Sequence, residues 1–219
     1  MSFANKHTLP RLFVIGDSIS IQYGPHLERF LQQTYQYDRK KDAGGKKAEA
    51  NLDQPEGANG GDSSMVLAYL RTRRTENPIL TDVLLLNCGL HDIKQDAAGK
   101  RQVALADYES NLRAILEEAR QAGWQVVWVR STPVIDALHN SRSSLRRQAA
   151  DVAAYNAVAD RVMTEAGVPM LDLHAFSEKF LPDGFCDHVH YTEEVRVAQA
   201  AFLAGALSVL PLERGTSTP

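Results

Sequence analysis

A chain of 219 residues is long enough for one domain with a substantial core and does not require two. Its 44% hydrophobic and 23% charged residues are those of a globular fold. The net charge of −3 excludes the strong basic field that nucleic acids or acidic membranes attract. No apolar run approaches the roughly 18 residues of a membrane span. The opening MSFANKHTLPR lacks a signal-peptide core, so a cytoplasmic protein is expected, or a secreted one if a leader has been removed. Two cysteines, Cys88 and Cys186, form no disulfide framework or metal spacing and read as free buried thiols. The basic clusters Arg39-Lys40-Lys41 with Lys46-Lys47, and Arg142 with Arg146-Arg147, read as solvated faces.

In chain order, the first apolar run is residues 12–15, which stops abruptly at Gly16-Asp17-Ser18. Helical spacing follows in Leu27, Phe30 and Leu31. Residues 37–60, rich in charge, Gly and Asn, read as a long loop, with a weak strand near 48–52. A second helix carries Val66, Leu67 and Leu70, and a strand at 83–86 precedes Asn87-Cys88-Gly89-Leu90-His91-Asp92. Tyr108, Leu112, Ile115 and Leu116 line a third helix that Gly123 stops. A strand at 126–129 is followed by a helix bearing Val152, Tyr155, Val158, Ala159 and Val162, then a strand at 168–173. Val195, Ala198, Phe202 and Leu203 mark the last helix, and the tail 213–219 reads as disordered. The strands are short, β-branched and not alternating, which suits a parallel sheet covered on both faces. The reading is one α/β domain with a five-stranded parallel sheet and a core at about 11–208.

In an open parallel sheet, ligands bind beyond the carboxyl ends of the strands. Four polar clusters fall at such positions: 16–18, 59–64, 87–92 and 187–190. Taken alone, Ser18 is better explained by capping the next helix than by chemistry. Taken together, the clusters offer a hydroxyl, an imidazole and a carboxylate. A serine hydroxyl needs a neighbouring base to become a nucleophile, and His190 is the candidate, with His188 the alternative. Asp187, three residues before His190, can fix its tautomer in a Ser-His-Asp arrangement. The backbone N–H groups of Ser18 and Gly61, near helix starts, are available to a developing oxyanion. Asp17, Asp62 and Ser63 read as local hydrogen-bonding or capping residues. His26, His139 and His174 suggest no partner.

The blocks GDS at 16–18, NGGDSS at 59–64, NCGLHD at 87–92 and DHVH at 187–190 resemble those of the SGNH (GDSL-type) hydrolases, over about residues 12–207. The resemblance implies a flavodoxin-like three-layer α/β/α sandwich and a metal-free, cofactor-free esterase or acylhydrolase. It implies Ser18 as nucleophile and first oxyanion donor, Gly61 as second donor, His190 as base, Asp187 as its partner, and Asp92 as a tie to the loop of Ser18. The chain departs from the family's Gly-x-Asn-Asp block, with His91 at the Asn position. His91 Nε2–H, or failing that Asn87, is the expected third donor. The implied substrate is a small acyl ester, acetyl foremost, on a small molecule or carbohydrate. A lysophospholipase, an acyl-CoA thioesterase and a non-catalytic binding protein of the same fold are the alternatives. Residues 37–60 and 134–145 are expected to wall the site. No Gly-rich phosphate loop follows the first strand, which speaks against a nucleotide-binding protein.

Overall fold

A computed structural model describes residues 9–43 and 47–212; the tail at 213–219 lies outside the described residues. Five parallel strands, β1 (Arg11–Ile15), β2 (Gln36–Arg39), β3 (Val83–Leu86), β4 (Gln125–Val129) and β5 (Met170–Leu171), form a sheet in the order β2-β1-β3-β4-β5. This is the doubly wound flavodoxin-like order. The central strands are buried on both faces: all four residues of β3, and residues 12–15 and 126–129 of β1 and β4. That burial is why those stretches read as unbroken apolar runs.

Helices α1 (Ser18–Leu31) and α7 (Glu193–Val209) pack together, with α6 (Leu173–Glu178) against α7. Helices α2 (Ser63–Thr75), α3 (Leu105–Gln121) and α5 (Ala149–Glu165) pack as a second group. The sheet lies between them, which makes three layers. The short α4 (Asp136–Arg142) stands over the carboxyl end of β4. Asp17 caps α1 by accepting from Ile19 N (3.0 Å), and Asp62 caps α2 by accepting from Met65 N (3.0 Å). Helix α3 ends two residues before Gly123, as its pattern predicts.

Two expected strands are corrected. The edge strand is Gln36–Arg39, whereas residues 48–50 form a single 3₁₀ turn. An edge strand with one exposed flank needs no apolar run, and its four residues are mostly polar and alternate in exposure. The last strand is only Met170–Leu171, because Asp172 turns the chain into α6 by accepting from Ala175 N (3.0 Å). Phe30, expected on the buried face of α1, is 39% exposed. Cys186 is an exposed thiol, and Cys88 a buried one. Among the described residues, no helix is long and apolar enough to cross a membrane.

Candidate active site

The strand order reverses between β1 and β3, and the chain leaves both strands there toward opposite sides. This switch point opens a crevice beyond their carboxyl ends. Gly16-Asp17-Ser18 leaves β1, and Asn87 to Asp92 leaves β3. The backbone is tight here: Gly60 N donates to Gly16 O (2.8 Å), which brings residues 59–64 beside the first block. Ser18 is the first residue of α1 and is nearly buried, so its N–H has no helical carbonyl to bond.

The Ser18 hydroxyl lies 2.9 Å from His190 Nε2, across 172 positions of sequence. His190 Nδ1 lies 2.7 Å from Asp187 Oδ2. A carboxylate only accepts, so Nδ1 carries the hydrogen and Nε2 is left to accept from Ser18 Oγ–H. The turn that arranges this is local: Asp187 Oδ1 accepts from Val189 N and His190 N, both 2.8 Å, leaving Oδ2 for the ring. Burial alone would raise the Asp187 carboxyl. The His190 ring and the two backbone N–H groups outweigh it and hold the carboxyl well below its ordinary range.

His188 is turned mainly to other partners. Its Nε2 lies 3.3 Å from Asp53 Oδ1 and its Nδ1 3.6 Å from Asp187 Oδ1, its ring tilts against that of buried His139 (centroids 4.7 Å apart), and it meets His190 edge-on at 5.9 Å. The loop at 37–60, through Asp53, and the segment 134–145, through His139, therefore both reach the catalytic turn.

Gly61 has φ +73°, and a side chain there would strike Met65 Sδ (2.6 Å) and Pro55 Cβ (2.9 Å). Its N–H donates to Asn59 Oδ1 (2.9 Å), so it is already engaged. Gly89, at φ +148°, lets the turn after β3 pass against Ser131, whose Oγ any added Cβ would meet. That turn buries His91. Burial first, and then Lys94, Arg147 and His190 nearby, push the ring's pKa well below the ordinary value, so it is neutral. Its Nδ1 is buried without a partner.

The supporting residues divide. Asn87 Nδ2 donates to Val129 O (2.8 Å) and more weakly to Ser131 Oγ (3.4 Å), so its amide ties β3 to β4. Asp92 accepts from Ser63 N (2.9 and 3.1 Å to its two oxygens) and from Ser63 Oγ, so it binds its turn to the start of α2 and not to the block of Ser18. The free N–H groups of a helix start are the nearest donors a buried carboxylate can find there. Burial raises the Asp92 carboxyl to about 7, against the opposing Ser63 bonds. Asp17 is buried and its carboxyl raised, chiefly by burial.

Several residues at the site carried no sequence signal. Arg147, expected on a solvated face, is 2% exposed and its Nε donates to Leu90 O (2.6 Å). Lys94 is 6% exposed. Nothing in sequence separates Arg147 from its exposed neighbour Arg146. Lys94, one turn past His91, was findable by its spacing alone. His26 and His174, which suggested no partner, meet Glu193 (2.9 Å) and Ser131 O (2.9 Å). No group of three or more His, Cys, Asp or Glu among the described residues could hold a metal ion.

The sequence matches the GDSL-like lipase/acylhydrolase family over residues 14–195. Similar solved structures include a lipase/acylhydrolase from Enterococcus faecalis (15% identity, 91% of this chain and 96% of that one, TM-score 0.68). Others are the acetyl xylan esterase AlAXEase (17%, 90% and 99%, 0.65) and a catalytic mutant of an acetylxylan esterase from Geobacillus stearothermophilus (17%, 94% and 94%, 0.62). No protein of curated function matches the chain in sequence. At such identities the structural likeness shows the fold.

Proposed function

The chain belongs to the GDSL-like lipase/acylhydrolase family and is an ester hydrolase; from that premise we propose that it is a serine esterase of small acyl esters, acetyl foremost, borne on a small molecule or carbohydrate. The observation that carries the reading is the hydrogen-bonded series Ser18 Oγ, His190, Asp187, at 2.9 and 2.7 Å. His190 Nε2 takes the proton as Ser18 Oγ attacks the ester carbonyl. Asp187 steadies the imidazolium that forms. Collapse of the tetrahedral intermediate breaks the bond to the alkoxy oxygen, to which His190 returns the proton. Water then attacks the acyl-enzyme with His190 again as base; the bond to Ser18 Oγ breaks, His190 returns the proton to that oxygen, and the carboxylic acid leaves.

The oxyanion has three candidate donors. Ser18 N–H is unclaimed by the helix. Gly61 N–H is held by Asn59 Oδ1, a neutral amide oxygen that an oxyanion outcompetes as an acceptor. His91, neutral, supplies one ring N–H in place of the usual Asn amide.

Met65 and Pro55 stand beside Gly61, which favours a short acyl group in this reading. A cavity of about 780 Å³ lies instead at the opposite edge of the sheet, among Trp124, Val126 and Val168. The acetyl xylan esterases among the similar folds supply the carbohydrate half of the proposal. A fluorophosphonate probe should label the wild type and not Ser18→Ala. Equal labelling of both removes Ser18 from the mechanism. A series of 4-nitrophenyl esters should peak at acetate, and a rise toward long chains would favour a lysophospholipase or thioesterase.

A further inference from the structure

Two buried cations stand beside this site with no carboxylate in hydrogen-bonding contact. Lys94 Nζ donates to a neutral carbonyl, Asp53 O (2.8 Å). Arg147 Nε donates to another, Leu90 O. Arg147 Nη1 does come within 3.4 Å of His139 Nε2. That nitrogen also lies 2.9 Å from Leu145 O, and a carbonyl can only accept. His139 is a neutral ring, its pKa lowered to about 4 by burial first and then by Arg147 and His188. Its one hydrogen therefore belongs to the shorter contact, and Nε2 has no lone pair for Arg147. Among the described residues, neither cation makes a salt bridge.

A buried, unpaired positive charge is expensive, and proteins rarely keep one without a partner. Here there are two, in a chain whose net charge is −3. Asp53 first and then Asp17, the residue before Ser18, act on both through space, and both cations act on His91. No carboxylate hydrogen-bonds either cation: Asp53 Oδ1 faces His188 Nε2 at 3.3 Å, Asp187 is bonded to His190, and Asp17 to the start of α1.

We propose that Lys94 and Arg147 form an anion subsite beside Ser18, and that the natural ester carries a carboxylate or phosphate on its alcohol part. This rests on the esterase reading and narrows its substrate class: an acylated acidic sugar or comparable small acid, in place of a neutral one. The guanidinium supplies a planar pair of donors and the ammonium a point charge, and either anion fits that combination.

The test uses alcohols whose charge sits away from the scissile bond, so that intrinsic reactivity is matched. They are a mono-O-acetyl methyl glucuronoside, its neutral methyl ester, and an O-acetyl glucose 6-phosphate. The expected kcat/KM for one or both anionic esters exceeds that for the neutral ester at least tenfold, and the preferred one tells carboxylate from phosphate. Lys94→Gln and Arg147→Lys should each reduce that ratio severalfold or more. A ratio near one in the wild type overturns the proposal, as does a ratio that neither substitution moves. Both results stand apart from the esterase reading if Ser18-dependent hydrolysis of 4-nitrophenyl acetate persists. Calorimetric binding of methyl glucuronoside and glucose 6-phosphate against methyl glucoside reads the subsite without turnover. No excess affinity for either anion overturns the proposal even if the protein hydrolyses no ester.

Discussion

The two edges of the sheet are both rich in charged side chains, and they use charge in opposite ways. At the amino edge, Arg11 and Asp82 pair at 2.8 Å with nearly half of each side chain exposed. At the carboxyl edge, Asp17, His91, Asp92, Lys94, Arg147 and His190 are each under 10% exposed. Water screens the first set and leaves the second to its neighbours. The carboxyl groups show the contrast: hydrogen bonding to Arg11 lowers Asp82, whereas burial raises Asp17 and Asp92. A charge that is merely placed at the amino edge is constrained at the carboxyl edge, and constrained groups are those that chemistry can use.

Substitutions at the carboxyl edge should therefore be far costlier. Asp187→Asn, which cannot hold the same His190 tautomer, should lower kcat by about 10⁴-fold while the fold persists. A loss below tenfold would mean that another group orients His190. His91→Ala should cost on the order of 10²–10³ in kcat if the ring donates to the oxyanion, and unchanged turnover would remove it from that role.

Asp92 sharpens the contrast through pH. Its carboxyl titrates near 7 in the fold and at an ordinary 3.8 when unfolded. As pH rises from about 4, the unfolded chain releases this proton first, so the native state binds more protons and stability falls across the window up to about 7. Asp92→Asn lacks that titration. Its Tm relative to wild type should climb from pH 4 to 7 and level off above, and a flat difference would show that Asp92 is ionised in the fold. The smallest effect belongs to the amino edge: Arg11→Ala should shift Tm by no more than about 3 °C. A larger shift would show that exposure does not divide the two edges.

The layers and three of the strands were legible because buried parallel strands leave unbroken apolar runs, as in Val83–Leu86. The edge strand Gln36–Arg39 was not, because pairing on one side only imposes no hydrophobic pattern. Among the site residues, Ser18 could be read because its short polar block follows β1, and His190 because its block precedes the last helix. The turn of Asp187 was legible for the same reason, being closed within four residues. Arg147 and His139 were not, since their burial depends on how α4 and its flanking segment settle over the sheet. The claim of Asn59 on the Gly61 N–H escaped notice as well: the motif supplies the residues, and only coordinates show where a hydrogen is spent.

The 172 positions between Ser18 and His190 also set a schedule. During synthesis the serine leaves the ribosome early and remains an ordinary alcohol while four of the five strands follow it out. It acquires its base only once the turn before α7 has emerged and α7 has docked on α1. Ester turnover by nascent or refolding chains would thus report the final closure of the molecule, and no partial assembly of earlier elements could mimic that signal.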